Sequence, residues 1–156
     1  MKTVKKSLPL AIVFWIFAVA VAVLIFRFSC DTGEESAEVS QSLLGLIIEF
    51  IGNFISHNTL RKIAHFSEFA ALGFFVAGGI RFSFDRKQFF IPLIPCVLYS
   101  VSDEIHQYFV PERACRIFDI FVDSSGSLTG ILVFILFIFI IERKMNRKPK
   151  KDKDSK

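Results

Sequence analysis

Three apolar stretches of this chain carry ionisable residues at helical spacing. Arg61, His65 and Glu68 lie at i, i+4 and i+7, on one face of a helix. Asp103 and Gln107 lie at i and i+4, with Glu104 one step round. Asp119, Asp123, Gly126 and Gly130 lie at i, i+4, i+7 and i+11. Carboxylates beside an imidazole suit general acid–base work. An arginine such as Arg113 suits a phosphate or carboxylate, which it can grip through two N–H groups. Ionisable groups inside apolar spans are costly and are read as functional by default. Each also has a plainer reading. His65 suits a structural hydrogen bond, and Asp103 with Arg113 suits an ion pair tying a helix to its following loop. Asp119 and Asp123 suit the start of a helix, where the dipole favours acids. The two glycines suit close packing, and His106, off the Asp103/Gln107 stripe, reads as an interface residue.

The elements that must position these residues are apolar and long. Of 156 residues, 53% are hydrophobic, 22% are charged and twenty are Phe. That composition disfavours a soluble enzyme domain, a disordered chain and a coiled coil. A spanning helix needs about 20 mostly apolar residues. Leu8–Phe28, Ala64–Phe82, Phe89–Val110 and Val122–Ile141 are the candidates. The first has a basic flank like that of a signal peptide. Its apolar stretch is long for one and fits a small-residue cleavage site poorly, so it is expected to remain. No internal repeat or Gly-rich phosphate loop is visible, and no nucleic-acid partner is expected. Cys30, Cys96 and Cys115 have no paired or metal-ligand spacing, which leaves a Cys30–Cys115 disulfide open but unsupported.

Four spans put both termini on one side, and basic residues gather on the cytoplasmic side. The side with the termini holds fourteen Lys and Arg against four acids; the other holds five against eleven. The termini are therefore expected inside. Asp31–Ser42 reads as an exposed acidic loop. Leu43–Ile55 is apolar but too short to span, with Gly45, Glu49, Gly52 and Ser56 on one stripe. It reads as an amphipathic helix in the outer interface, or equally as one packed on the bundle. The expected fold is an all-α membrane protein of four transmembrane helices plus that short interfacial helix. Residues 1–141 form one membrane domain, and residues 142–156 a basic, disordered cytoplasmic tail that anchors topology and touches anionic lipid.

In this topology the three polar stripes meet at the outer end of the bundle. Five carboxylates, Glu68, Asp103, Glu104, Asp119 and Asp123, then face few cations: Arg61, Lys62, Arg113 and Arg116. Crowding of like charge disfavours full ionisation, so a proton or a bound cation would relieve it.

These residues also carry a resemblance. Arg61-Lys62-Ile63-Ala64-His65-Phe66-Ser67-Glu68-Phe69, the run Ser102 to Arg113, and Asp119-Ile120-Phe121-Val122-Asp123-Ser124-Ser125-Gly126 resemble the VanZ-like family, named for a teicoplanin-resistance membrane protein. The likeness covers about Arg61 to Gly130 and the four-span plan. As a set its motifs are specific: Lys-x-x-His, Asp-Glu-x-x-Gln-x-x-x-Pro-x-Arg and Asp-x-x-x-Asp-x-x-Gly-x-x-x-Gly. Two departures stand out. The family often has Gly after the loop proline and Ser-Gly after the arginine, where this chain has Glu112 and Ala114-Cys115. Many relatives have Asn at the position of Asp123, so a family-wide mechanism cannot require its charge. The resemblance implies a link to lowered teicoplanin susceptibility and supplies no reaction.

Three functions compete. The first is an envelope protein whose outer polar pocket, Lys62, His65, Glu68, Asp103, Glu104, Gln107, Arg113, Asp119 and Asp123, binds a lipid-linked cell-wall precursor or a glycopeptide antibiotic. The second is an intramembrane enzyme acting on such a precursor, with His65 as base, Glu68 or Asp103 orienting it and Arg113 steadying negative charge. A divalent ion is conceivable there, but the His-Glu-x-x-His spacing is lacking, so neither metal nor cofactor is assigned. The third, an ion or proton pathway, ranks last because the acids lie at one end, with no relay to the basic side. Oligomeric state is not legible.

Overall fold

The computed structural model describes residues 4–31, 57–84, 90–113 and 115–147. They form four helices: α1 (Leu8–Ser29), α2 (His57–Phe84), α3 (Leu93–Tyr108) and α4 (Ile117–Arg147). Among the described residues there is no strand. Most of the acidic loop and all of the candidate interfacial helix, Leu43–Ile55, lie outside the described residues.

The helices run up, down, up, down. The Ser7 N–H at the start of α1 donates to the Phe82 carbonyl near the end of α2 (3.1 Å). Near the end of α1, Ala22 accepts from the Tyr99 hydroxyl of α3 (2.6 Å). The most extensive helix contact joins α2 to α4, and glycine is the reason. A methyl group at Gly73 would overlap the backbone of Ser127, and one at Gly126 or Gly130 would overlap the carbonyls of Phe66 and Ala70. The small-residue stripe expected at Gly126 and Gly130 is therefore a helix-packing seam.

Buried positions follow helical periods. On α4 they are Asp123, Gly126, Ser127, Gly130, Ile131, Phe134 and Ile138. Towards the far end of the bundle this stripe becomes apolar. There Phe14 packs against Phe74, Phe82 and Phe134, with Phe14 and Phe134 edge to face at 5.6 Å, a favoured aromatic geometry.

On α3 the usual arrangement is inverted. Its buried face is Cys96, Ser100, Asp103, Glu104 and Gln107, while Ile94, Leu98, Ile105 and Tyr108 are exposed. On α1 only Ala11, Ala18, Ile25 and Ser29 are buried. Phe17, Val19, Val23, Leu24, Phe26 and Phe28 are each about half exposed. A soluble monomer rarely presents so continuous an apolar surface; a bilayer solvates it.

Among the described residues, three helices are long and apolar enough to cross a membrane: α1, Thr59–Phe84 within α2, and α4. The expected third span differs. Instead of Phe89–Val110 the helix is 16 residues, Leu93–Tyr108. At about 1.5 Å per residue that falls short of the about 30 Å hydrocarbon core. Proline bounds it on both sides. Pro92, which lacks an N–H, stands at its N-cap, and the chain enters through a turn in which the Leu93 N–H donates to Phe90 (3.1 Å). Beyond Phe109 comes Pro111, which is poorly suited to continuing a helix. Conversely, α4 runs past the expected Val122–Ile141 at both ends, as far as Arg147. The expected tail thus begins as helix, with Lys144 and Arg147 in the last turn, where the dipole favours cations.

Candidate functional site

The α3–α4 connection shapes the site. The Arg113 N–H donates to the Val110 carbonyl (3.2 Å), and Glu112 has φ 62°. A positive φ at the third residue, with Pro111 at the second, is the pattern of a type II turn. Glycine is the ordinary occupant of that third position, so Glu112 holds a strained conformation. The turn carries Arg113 back over the end of α1, where its Nη2 donates to the Phe28 carbonyl (3.0 Å).

The three polar stripes do meet. A hollow at this end of the bundle is lined by Arg61, Lys62, His65, Glu104, Gln107, Asp119, Val122 and Asp123. Its interior has room for about one water-sized guest, and it opens to the surface. Arg61, from the α2 stripe, lines it beside Lys62. Glu68, Asp103 and Arg113, all expected in the pocket, are not in the lining. Asp103 is within electrostatic reach of His65 and Asp123, and Glu68 of Asp103 and Arg113.

Burial of the carboxylates is deep. Asp103 is 3% exposed and Asp123 1%. Gln107 Nε2 donates to Asp103 Oδ2 (2.8 Å) and to Ser29 Oγ on α1 (3.3 Å). Ser100 Oγ donates to Asp123 Oδ2 (3.1 Å). Glu104 Oε2 accepts from the backbone N–H of Arg116 (2.8 Å), which ties α3 to the start of α4. Lys62 Nζ lies 3.1 Å from Asp119 Oδ1 and 4.3 Å from the centre of the Phe118 ring. Asp119 occupies the first turn of α4, so its helix-start reading and its place in the hollow both hold.

Several buried atoms are left over. Among the described residues, His65 Nδ1, Asp103 Oδ1 and Arg113 Nε and Nη1 have no hydrogen-bond partner. The expected alternative of an Asp103–Arg113 ion pair does not form, although the two groups feel each other's charge. Burial, and then the nearby Arg61, hold the Arg113 guanidinium below its ordinary pKa. Arginine stays charged even so, and unsatisfied buried polar atoms cost about 1–3 kcal/mol each.

The remaining expectations divide. His106 faces a neighbour: its ring lies 4.9 Å from that of Phe26, and Nε2 lies 3.4 Å from Cys30 Sγ. Cys30 and Cys115 are both free and exposed, so no disulfide joins them. Two contributors were missed. Ser100 continues the 103/107 stripe backward by three residues, a signal available in the sequence. Ser29 closes the α1 side, and no spacing marks it.

No curated protein and no solved structure matches the chain. The VanZ/LLP1 family profile matches residues 14–139, which include all four helix cores and every residue of the hollow. By that match the chain belongs to the VanZ/LLP1 family.

Proposed function

We propose that this chain is a bacterial cell-envelope membrane protein whose polar hollow faces the exterior and binds the head of a lipid-linked cell-wall precursor or of a glycopeptide. Binding by this hollow would lower susceptibility to teicoplanin. Orientation rests on the excess of Lys and Arg on the side of the termini. The observation that carries the reading is the buried Arg113 guanidinium with Nε and Nη1 unpartnered. Each of those N–H groups can donate to a phosphate or carboxylate oxygen. Glu104, Asp119 and Gln107, which line the hollow, suit a headgroup rich in hydrogen-bond donors.

The test is binding of a polyprenyl phosphate to the protein in nanodiscs, with phosphatidylglycerol as competitor. Arg113→Ala should weaken binding by about tenfold or more, as loss of a charged hydrogen-bonding partner does. Asp103→Asn is the companion variant, and a deletion strain is scored for teicoplanin susceptibility. If neither substitution alters binding and the deletion leaves susceptibility unchanged, the reading fails.

A second reading, an intramembrane enzyme on the same precursor, draws on the unpartnered His65 Nδ1 beside Asp103. There His65 is the base, and Glu68 or Asp103 orients it. Release of a product from the bound lipid, lost in His65→Ala and kept in His106→Ala, would favour it over binding alone.

A further inference from the structure

We propose that His65, Asp103 and Asp123 together hold one divalent metal ion between α2, α3 and α4. One ligating atom from each lies within 4.8 Å of the others. Two of the three residues are almost fully buried. The second observation is independent of their proximity: Asp103, 3% exposed, keeps Oδ1 without a hydrogen-bond partner among the described residues, and His65 keeps Nδ1 likewise. Protein interiors rarely leave such acceptors empty, and a cation would satisfy both. Atoms bound to a tetrahedral metal at about 2.1 Å sit about 3.4 Å apart. The most separated pair would close by little more than an ångström, within reach of side-chain rotation.

Charge supports the same assignment. Within electrostatic reach of this cluster, Glu68, Asp103, Glu104, Asp119 and Asp123 outnumber Arg61, Arg113 and the ion-paired Lys62 by two, and Arg116 is exposed. A divalent cation balances that excess. One imidazole and two carboxylates form a mixed nitrogen–oxygen set, suited to manganese, iron or zinc. The outer contacts resemble those of known metal sites: Gln107 holds Asp103 Oδ2, leaving its Oδ1 for a metal, and Ser100 holds Asp123 Oδ2. No short sequence signature exists because the three ligands come from three helices. The site does not depend on the lipid ligand proposed above, and its test uses metal alone.

Full-length protein in nanodiscs is stripped with EDTA, equilibrated with Mn2+ or Zn2+, washed and analysed for metal. The wild type should retain about one equivalent, with a melting temperature that rises with metal concentration. In the Mn2+ form, pulsed EPR should show nitrogen coupling from a single imidazole. His65→Ala should abolish that coupling, while His106→Ala keeps it. Asp103→Asn and Asp123→Asn should each weaken retention by at least about tenfold. Folded wild type that retains no metal overturns the proposal. So does bound Mn2+ without nitrogen coupling, or equal retention in every variant. The spectrum of the wild type needs no variant to fold.

Discussion

The two ends of the bundle handle charge differently. At the end holding the start of α1 and the ends of α2 and α4, Arg81 and Glu142 are joined and tied down. Glu142 Oε1 accepts from the Val4 N–H (3.0 Å) and lies 3.7 Å from Arg81 Nη2, which also donates to the Val4 carbonyl. Their side chains are 7% and 15% exposed. At the opposite end Asp103, 3% exposed, and the part-buried His65 each keep an acceptor empty among the described residues. The first arrangement is what a structural clamp needs; the second is what a site needs before its ligand arrives.

That contrast is open to direct attack. The largest effect should come from Arg81→Ala. It leaves Glu142 largely buried without its cation, which costs about 3 kcal/mol or more. Thermal unfolding in detergent should show a clear drop in melting temperature. The double change Arg81→Leu with Glu142→Leu should recover much of it, because the desolvation penalty goes with the charges. If Arg81→Ala unfolds like the wild type, the clamp is not one.

The same measurement at the other end should give the opposite sign. In EDTA-treated protein, Asp103→Asn removes one of several crowded negative charges and keeps an acceptor for Gln107. Stability should hold or rise, by on the order of 1 kcal/mol, as at sites where function is kept at the expense of stability. A fall comparable to that of Arg81→Ala would mean that Asp103 is structural, and the distinction between the ends would be lost.

Much of the polar end was legible because its signal is local. His65, Asp103, Gln107, Asp119 and Asp123 sit on helical stripes, and costly residues in apolar runs declare themselves. The glycine seam was legible for the same reason. The clamp was not. Arg81 read only as one of the fourteen cations on the side of the termini and Glu142 as the start of a tail, because the partners lie 61 positions apart and no period links them. The length of α3 was misread because an apolar run does not reveal that Pro92 delays the helix. The three metal-ligating candidates were each named, but not as a set, since their meeting depends on how three helices rotate.

A smaller effect concerns the turn that delivers Arg113. Glu112 at φ 62° adopts a conformation that glycine takes without steric cost. Glu112→Gly should therefore stabilise the chain by about 0.5–1 kcal/mol, the relief at the left-handed position being partly offset by a more flexible unfolded chain. It should leave metal retention unchanged. Glu112→Val should destabilise, since β-branching is poorly tolerated there. Equal stability of all three would mean that the turn is not strained.

The smallest effect should be at Lys62, and it sharpens the comparison by testing charge that is paired but wet. The Lys62–Asp119 contact is short, at 3.1 Å, yet the lysine side chain is 32% exposed. Exposed ion pairs contribute about 0–1 kcal/mol, far less than the buried clamp. Lys62→Ala should shift unfolding by no more than about 0.5 kcal/mol, and salt should erase the difference because solvent ions screen such pairs. Salt should leave the Arg81→Ala deficit largely intact, since a buried pair is screened much less. A Lys62→Ala penalty as large as that of Arg81→Ala, and equally resistant to salt, would show that depth does not separate the two ends.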